Sequence, residues 1–146
     1  MRELPRQLSA EELAELFEGR TRLVERLAEL EDPLGRTEDV LRDLPEEEQI
    51  EALRAHPAIG AQHLSQRSAA EQGDDAGPAI LSELAYLNQV YEEKFGFRFV
   101  VFVSRRPKAE ILEVLRERLA RTREEELDTG LRELVAIARD RWTRTT

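Results

Sequence analysis

The sequence predicts an all-α protein: a single-domain, compact bundle of about seven or eight helices with one extended buried segment. Three observations predict it. Leucine, glutamate, alanine and arginine dominate a chain poor in aromatic residues, which is the composition of helices rather than sheets. Apolar residues recur at three- and four-residue spacing in one stretch after another. A single stretch, residues 97–103 (FRFVVFV), has strand composition, and one strand cannot make a sheet. At 146 residues the chain has the size of one domain, residues 1–146, and can bury a core without staples.

The elements follow in order. Ser9 and Glu12 form a capping box for a helix over 10–18, with Gly19 as its stop. Thr21 starts a second helix to about residue 30, with Leu23, Val24, Leu27 and Leu30 on one face. Asp32-Pro33 and Gly35 make a turn, and a short helix covers 38–44. Pro45 suits the first position of the next helix, with Glu46, Glu47 and Glu48 in its first turn. That helix ends near Ala55, because a residue before proline avoids the helical region. Residues 61–77 read as irregular, with one short helix between loops. Pro78 opens the longest helix, to Phe95, with Ile80, Leu84, Leu87, Tyr91 and Phe95 in register and Gly96 as its end. Residues 97–103 should lie extended between helices, their backbone groups finding partners other than a ladder, a bound ligand among them. Pro107 opens a helix with Ile111, Leu112, Leu115 and Leu119 inward. The last helix runs over 123–142, with Gly130 inside it at a cost of about 1 kcal/mol. No internal repeat or low-complexity linker interrupts the chain.

Several classes drop out on composition. The net charge of −9 argues against nucleic-acid binding, which needs a basic surface. The absence of cysteine removes disulfides and thiolate metal sites. The two histidines stand seven apart, without metal-ligand spacing, and no glycine-rich phosphate loop is present. No apolar run reaches membrane-spanning length, and the first residues lack an apolar signal core. A cytoplasmic, bacterial-type protein without membrane or nucleic-acid partners is the expectation.

The polar residues concentrate in residues 53–72 (LRAHPAIGAQHLSQRSAAEQ), which hold both histidines, His56 and His63. His56 falls at a helix C-terminus and is held extended by Pro57. It is either a solvated capping residue or an acid/base group, since histidine titrates near neutral pH. The helix dipole favours its protonated ring and burial opposes it. His63 reads as a solvated loop residue. Ser68 and Glu71 have the form of a capping box, yet such a box does not require the adjacent Gln72. Glu71 and Gln72 together offer an acceptor and a mixed donor/acceptor, suited to a urea or lactam edge. Ser68 as a nucleophile with His56 as base stays open, without an elbow motif behind it.

Taken together these residues resemble the 2-oxo-4-hydroxy-4-carboxy-5-ureidoimidazoline (OHCU) decarboxylase family. The matching pieces are AHPAIG at 55–60, Ser68-x-x-Glu71-Gln72, LNQVYEEKFGFRFVVFV at 87–103, KAEILEVLRERL at 108–119 and ELVAIARDR at 133–141. The resemblance implies an all-α fold, a homodimer, no cofactor, and conversion of a small-molecule substrate to (S)-allantoin in urate breakdown. It implies that His56 is the catalytic histidine and that Glu71 contacts substrate, where Glu71 is expected to serve catalysis by orienting the histidine or the ureido N–H groups. Pro57, Ser68, Gln72 and the segment Phe99, Val100, Val101, Phe102 and Val103 would contact substrate, the segment largely through backbone. The chain departs from the family pattern at Ala58, where an acid is common, and at Arg98, where proline is common. At Ser104 many members carry arginine; here Arg105 and Arg106 follow instead, so Arg98, Arg105 and Arg106 are all candidates to anchor the substrate carboxylate. The substrate's own conjugated C=N can accept the electrons left by carbon dioxide, so no cofactor or metal is expected. Two other readings remain: a non-enzymatic helical interaction module, which needs a solvated His56 and an exposed apolar groove, and a decarboxylase for a related ureido-imidazoline acid.

Overall fold

In the computed structural model, which describes residues 7–59 and 77–144, seven α-helices follow one another with no β-strand among the described residues. Helix α1, Ala10–Leu16, begins at the expected capping box, with Ser9 and Glu12 satisfying each other's backbone amides. Its end differs from expectation. The left-handed residue is Glu18 (φ 64), and Gly19 donates its amide to Ala14 at 3.0 Å, the closing bond of a Schellman turn. A Cβ at Gly19 would stand 3.4 Å from Ala55, an ordinary contact, so packing there does not demand glycine.

Helix α2, Arg22–Leu27, starts at the Thr21 cap and stops short of residue 30. Glu29 and Leu30 continue with the tighter i→i+3 bonds common at helix ends. Helix α3, Thr37–Asp43, starts one residue earlier than expected, since the Thr37 hydroxyl donates back to Pro33 at 2.9 Å. Helix α4, Glu46–Arg54, takes Pro45 as its cap rather than its first residue, and α6, Lys108–Leu119, treats Pro107 the same way. Proline lacks an amide in either position, so the one-residue difference costs no hydrogen bond. Helix α5, Pro78–Phe95, ends at Gly96 (φ 83) as its sequence indicates. Helix α7, Arg123–Arg144, is the longest.

All seven helices feed one core, including Leu13, Leu23, Leu41, Leu53, Leu84, Ile111, Leu115 and Leu134. Helix α7 packs on α1, α3 and α4, while α5 pairs with α6. Gly130 of α7 faces Leu53 of α4, with room for ordinary contact at 3.4 Å if a Cβ were added. Residues 97–103 run extended between these two groups of helices, and all but Arg98 and Phe102 are buried. No helix among the described residues is long and apolar enough to cross a membrane.

Candidate active site

His56 follows the last turn of α4, where its amide still bonds to Leu53 at 3.2 Å. The Pro57 that follows prevents another helical turn. Two side chains fix this corner. Arg98 donates to the carbonyls of His56 at 2.8 Å and Arg54 at 3.2 Å, supplying charge and donors where the helix leaves carbonyls unpaired. Asn88 of α5 donates to Ile59 at 3.2 Å. The imidazole is 5 % exposed, and its Nε2 has no hydrogen-bond partner among the described residues. The solvated-histidine reading therefore fails.

Burial decides the protonation state. It pushes His56 from its usual 6.5 down to about 3, helped by the nearby positive charge of Arg141 and less by Arg98, against the opposing pull of Glu18. The ring is neutral at pH 7.

The extended segment lies beside this ring. Its backbone is held largely by side chains. Arg118 of α6 donates to Val100 at 2.8 Å, Phe102 donates to Glu133 of α7 at 3.3 Å, and Arg106 donates to Phe102 at 2.6 Å and Val103 at 3.1 Å. Arg118 is itself buried. It donates to Glu126 at 2.7 Å and lies over the Phe99 ring at 4.6 Å. Glu126, fully buried, also accepts from Tyr91 at 2.7 Å and Arg121 at 2.9 Å. Burial and this bond to Glu126 raise the Tyr91 phenol, so it stays protonated. The result is a rigid scaffold behind the segment.

In front of it is a cavity of about 440 Å³, within the range of small-molecule sites. His56, Pro57 and Ile59 form one wall, residues 99–105 another, and Ile137, Asp140, Arg141 and Arg144 of α7 a third. Arg141 is 1 % exposed, bonded to the Leu16 carbonyl at 3.1 Å and paired with Glu18 at 3.0 Å. A second hollow, by Asn88, is bordered by Glu92 and Glu93, which would repel a carboxylate. Among the described residues no three histidines or carboxylates converge as a metal ligand set.

The structure thus brings together His56, Pro57, Phe99, Val100, Val101, Phe102 and Val103. His63, Ser68, Glu71 and Gln72 lie outside the described residues. Arg98 and Arg106 are engaged with backbone carbonyls, which removes two of the three expected carboxylate anchors. Sequence reasoning missed Arg141 and its partner Glu18. A signal existed: Arg141 falls seven residues after Leu134 and three after Ala138, on the buried stripe of α7.

A family model described as OHCU decarboxylase matches residues 2–143. The chain is 31% identical over 105 residues to a 2-oxo-4-hydroxy-4-carboxy-5-ureidoimidazoline decarboxylase of Halalkalicoccus jeotgali, covering 68% of this chain and 60% of that protein. It is 28% identical over 153 aligned positions to the uric acid degradation bifunctional protein PucL of Bacillus subtilis, covering 97% of this chain but 31% of that one. The chain thus spans three fifths or less of these two relatives. A crystal structure of OHCU decarboxylase in the presence of (S)-allantoin superposes with a TM-score of 0.78 at 24% identity, covering 94% of this chain and 97% of the other. That likeness establishes the fold.

Proposed function

Because the chain belongs to the OHCU decarboxylase family, we propose that it converts 2-oxo-4-hydroxy-4-carboxy-5-ureidoimidazoline to (S)-allantoin without a cofactor. The observation that carries this reading is the neutral, buried imidazole of His56, with Nε2 unpartnered among the described residues, in a cavity walled by the extended segment. A cavity of this size suits one substituted imidazoline.

In the proposed reaction the bond from the ring carbon to the carboxylate breaks and carbon dioxide leaves. The electron pair moves into the ring, and the C=N nitrogen takes a proton. His56 accepts the proton of the ring hydroxyl, which becomes the carbonyl of the product. That proton, returned from His56 to one face of the adjacent carbon, sets the S configuration, and water supplies the proton taken by the ring nitrogen. Arg141 supplies fixed positive potential as charge moves from carboxylate to ring. The resemblance supports further roles: Glu71 orients the imidazole or the ureido group, Gln72 and the backbone of 99–103 hold the ring amides, and Pro57 and Ser68 complete the contacts. It also supports a cytoplasmic homodimer in which residues 1–146 act as one catalytic domain; sedimentation velocity checks the assembly.

Acid/base help of this kind is worth ~10²–10⁴-fold in rate. His56→Asn should therefore lose turnover by that factor or more, with an unchanged far-ultraviolet circular dichroism spectrum. Wild-type rates in this variant would remove His56 from the mechanism.

A further inference from the structure

Among the described residues, charge pairing around the cavity leaves one cation over. Arg141 is paired with Glu18 at 3.0 Å and Arg144 with Asp140 at 2.8 Å. Arg98 and Arg106 are turned onto backbone carbonyls. Arg105 lines the same cavity at its exposed rim. No hydrogen bond or ion pair holds its guanidinium among the described residues. In a chain of net charge −9, a cation left without a carboxylate at the mouth of a cavity is an unusual allocation.

The backbone that presents it is unfavourable. Ser104 and Arg105 have φ of 50 and 63, successive left-handed residues closed by the Arg106 amide on the Val103 carbonyl at 3.0 Å. This is the turn geometry that asparagine and glycine prefer. Other residues are strained there. A turn alone needs no arginine at that position; a side chain aimed at the cavity does.

We propose that Arg105 is the specificity-determining residue that selects a carboxylate-bearing substrate, pairing with the carboxylate at the cavity mouth. This rests on the decarboxylase reading and deepens it. The carboxylate is present in the substrate and absent from the product: the carbon–carbon bond breaks, carbon dioxide leaves uncharged, and the pair dissolves with it. Arg105 therefore favours substrate over uncharged allantoin. The pair holds until the carbon–carbon bond is broken, so it stabilises bound substrate and transition state alike, aids capture and takes no part in proton transfer.

The test compares Arg105→Gly and Arg105→Asn, both comfortable in the left-handed region, with Arg105→Lys. For the first two, kcat/KM should fall about tenfold, the scale of one lost hydrogen-bonded charge contact, with most of the loss in KM. Inhibition by allantoin should not change, the melting temperature should rise, and Arg105→Lys should recover most of kcat/KM. Stability and activity moving in opposite directions is what a merely structural role would not produce. Unchanged kcat/KM in Arg105→Gly, or equal weakening of allantoin inhibition, overturns the inference. If the wild type shows no turnover, the decarboxylase reading fails by itself, and binding of hydantoin-5-acetate against hydantoin decides on Arg105. A wild-type preference for the acid that Arg105→Gly abolishes supports its role. No preference, or one that survives the substitution, overturns it.

Discussion

His56 couples the site to the stability of the fold. Its folded pKa of about 3 lies below its unfolded value of 6.5, so the unfolded chain binds more protons between these limits. The stabilisation from keeping the ring neutral is present above pH 6.5 and is lost as pH falls toward 3. Between pH 7 and pH 5 the wild type should lose about 2 kcal/mol more than His56→Asn, measured by urea unfolding at both values. Parallel losses in the two proteins would mean the ring is not desolvated. This residue became legible through the family resemblance, since its position at a helix end left a capping role open beside the acid/base one. Arg141 was not, since in an arginine-rich chain one more arginine on a helix looks solvated. Only its register with Leu134 and Ala138 marks it as buried, and register says nothing of Glu18, which pairs with it from the far end of the chain.

At the scale of elements, the extended segment shows the division most clearly. Strand composition revealed that residues 97–103 are buried, and the want of a second strand revealed that they lack a ladder. What replaces the ladder could not be read, because the partners lie 18 residues away for Arg118 and 31 for Glu133. The motif around α5 acquires a physical meaning from this arrangement. Asn88 holds Ile59, Tyr91 holds Glu126, Lys94 caps the last carbonyl of α6, and Gly96 turns the chain into the segment. Glu126→Gln should destabilise the protein by about 3 kcal/mol, since it leaves Arg118 buried beside a neutral amide. It should also raise KM by loosening Val100. A denaturant midpoint within error of the wild type would show the network to be dispensable. Gly130→Ala should act in the other direction. Alanine is favoured over glycine in a helix by about 1 kcal/mol, and its Cβ would make ordinary contact with Leu53. A rise in melting temperature of about 2–4 °C is expected; a fall would mean that α4 and α7 cannot accommodate a methyl group.

For the whole molecule, helical periodicity and turn residues were enough to place all seven described helices, with ends shifted by a few residues where caps compete. The arrangement of those helices was legible only through the family resemblance. Periodicity gives each helix a buried face without saying which neighbour covers it. The structure supplies that: α7 joins α1, α3 and α4, and its C-terminal turns close the cavity that α4 and the extended segment open. The proposed function depends on this convergence, because a buried imidazole is no catalyst alone. The most direct test is circular dichroism of freshly generated 2-oxo-4-hydroxy-4-carboxy-5-ureidoimidazoline, followed with and without the protein. The account predicts rapid growth of the (S)-allantoin signal with wild type and only the slow racemic background with His56→Asn. A substrate signal that decays at the same rate with and without the wild-type protein would contradict it.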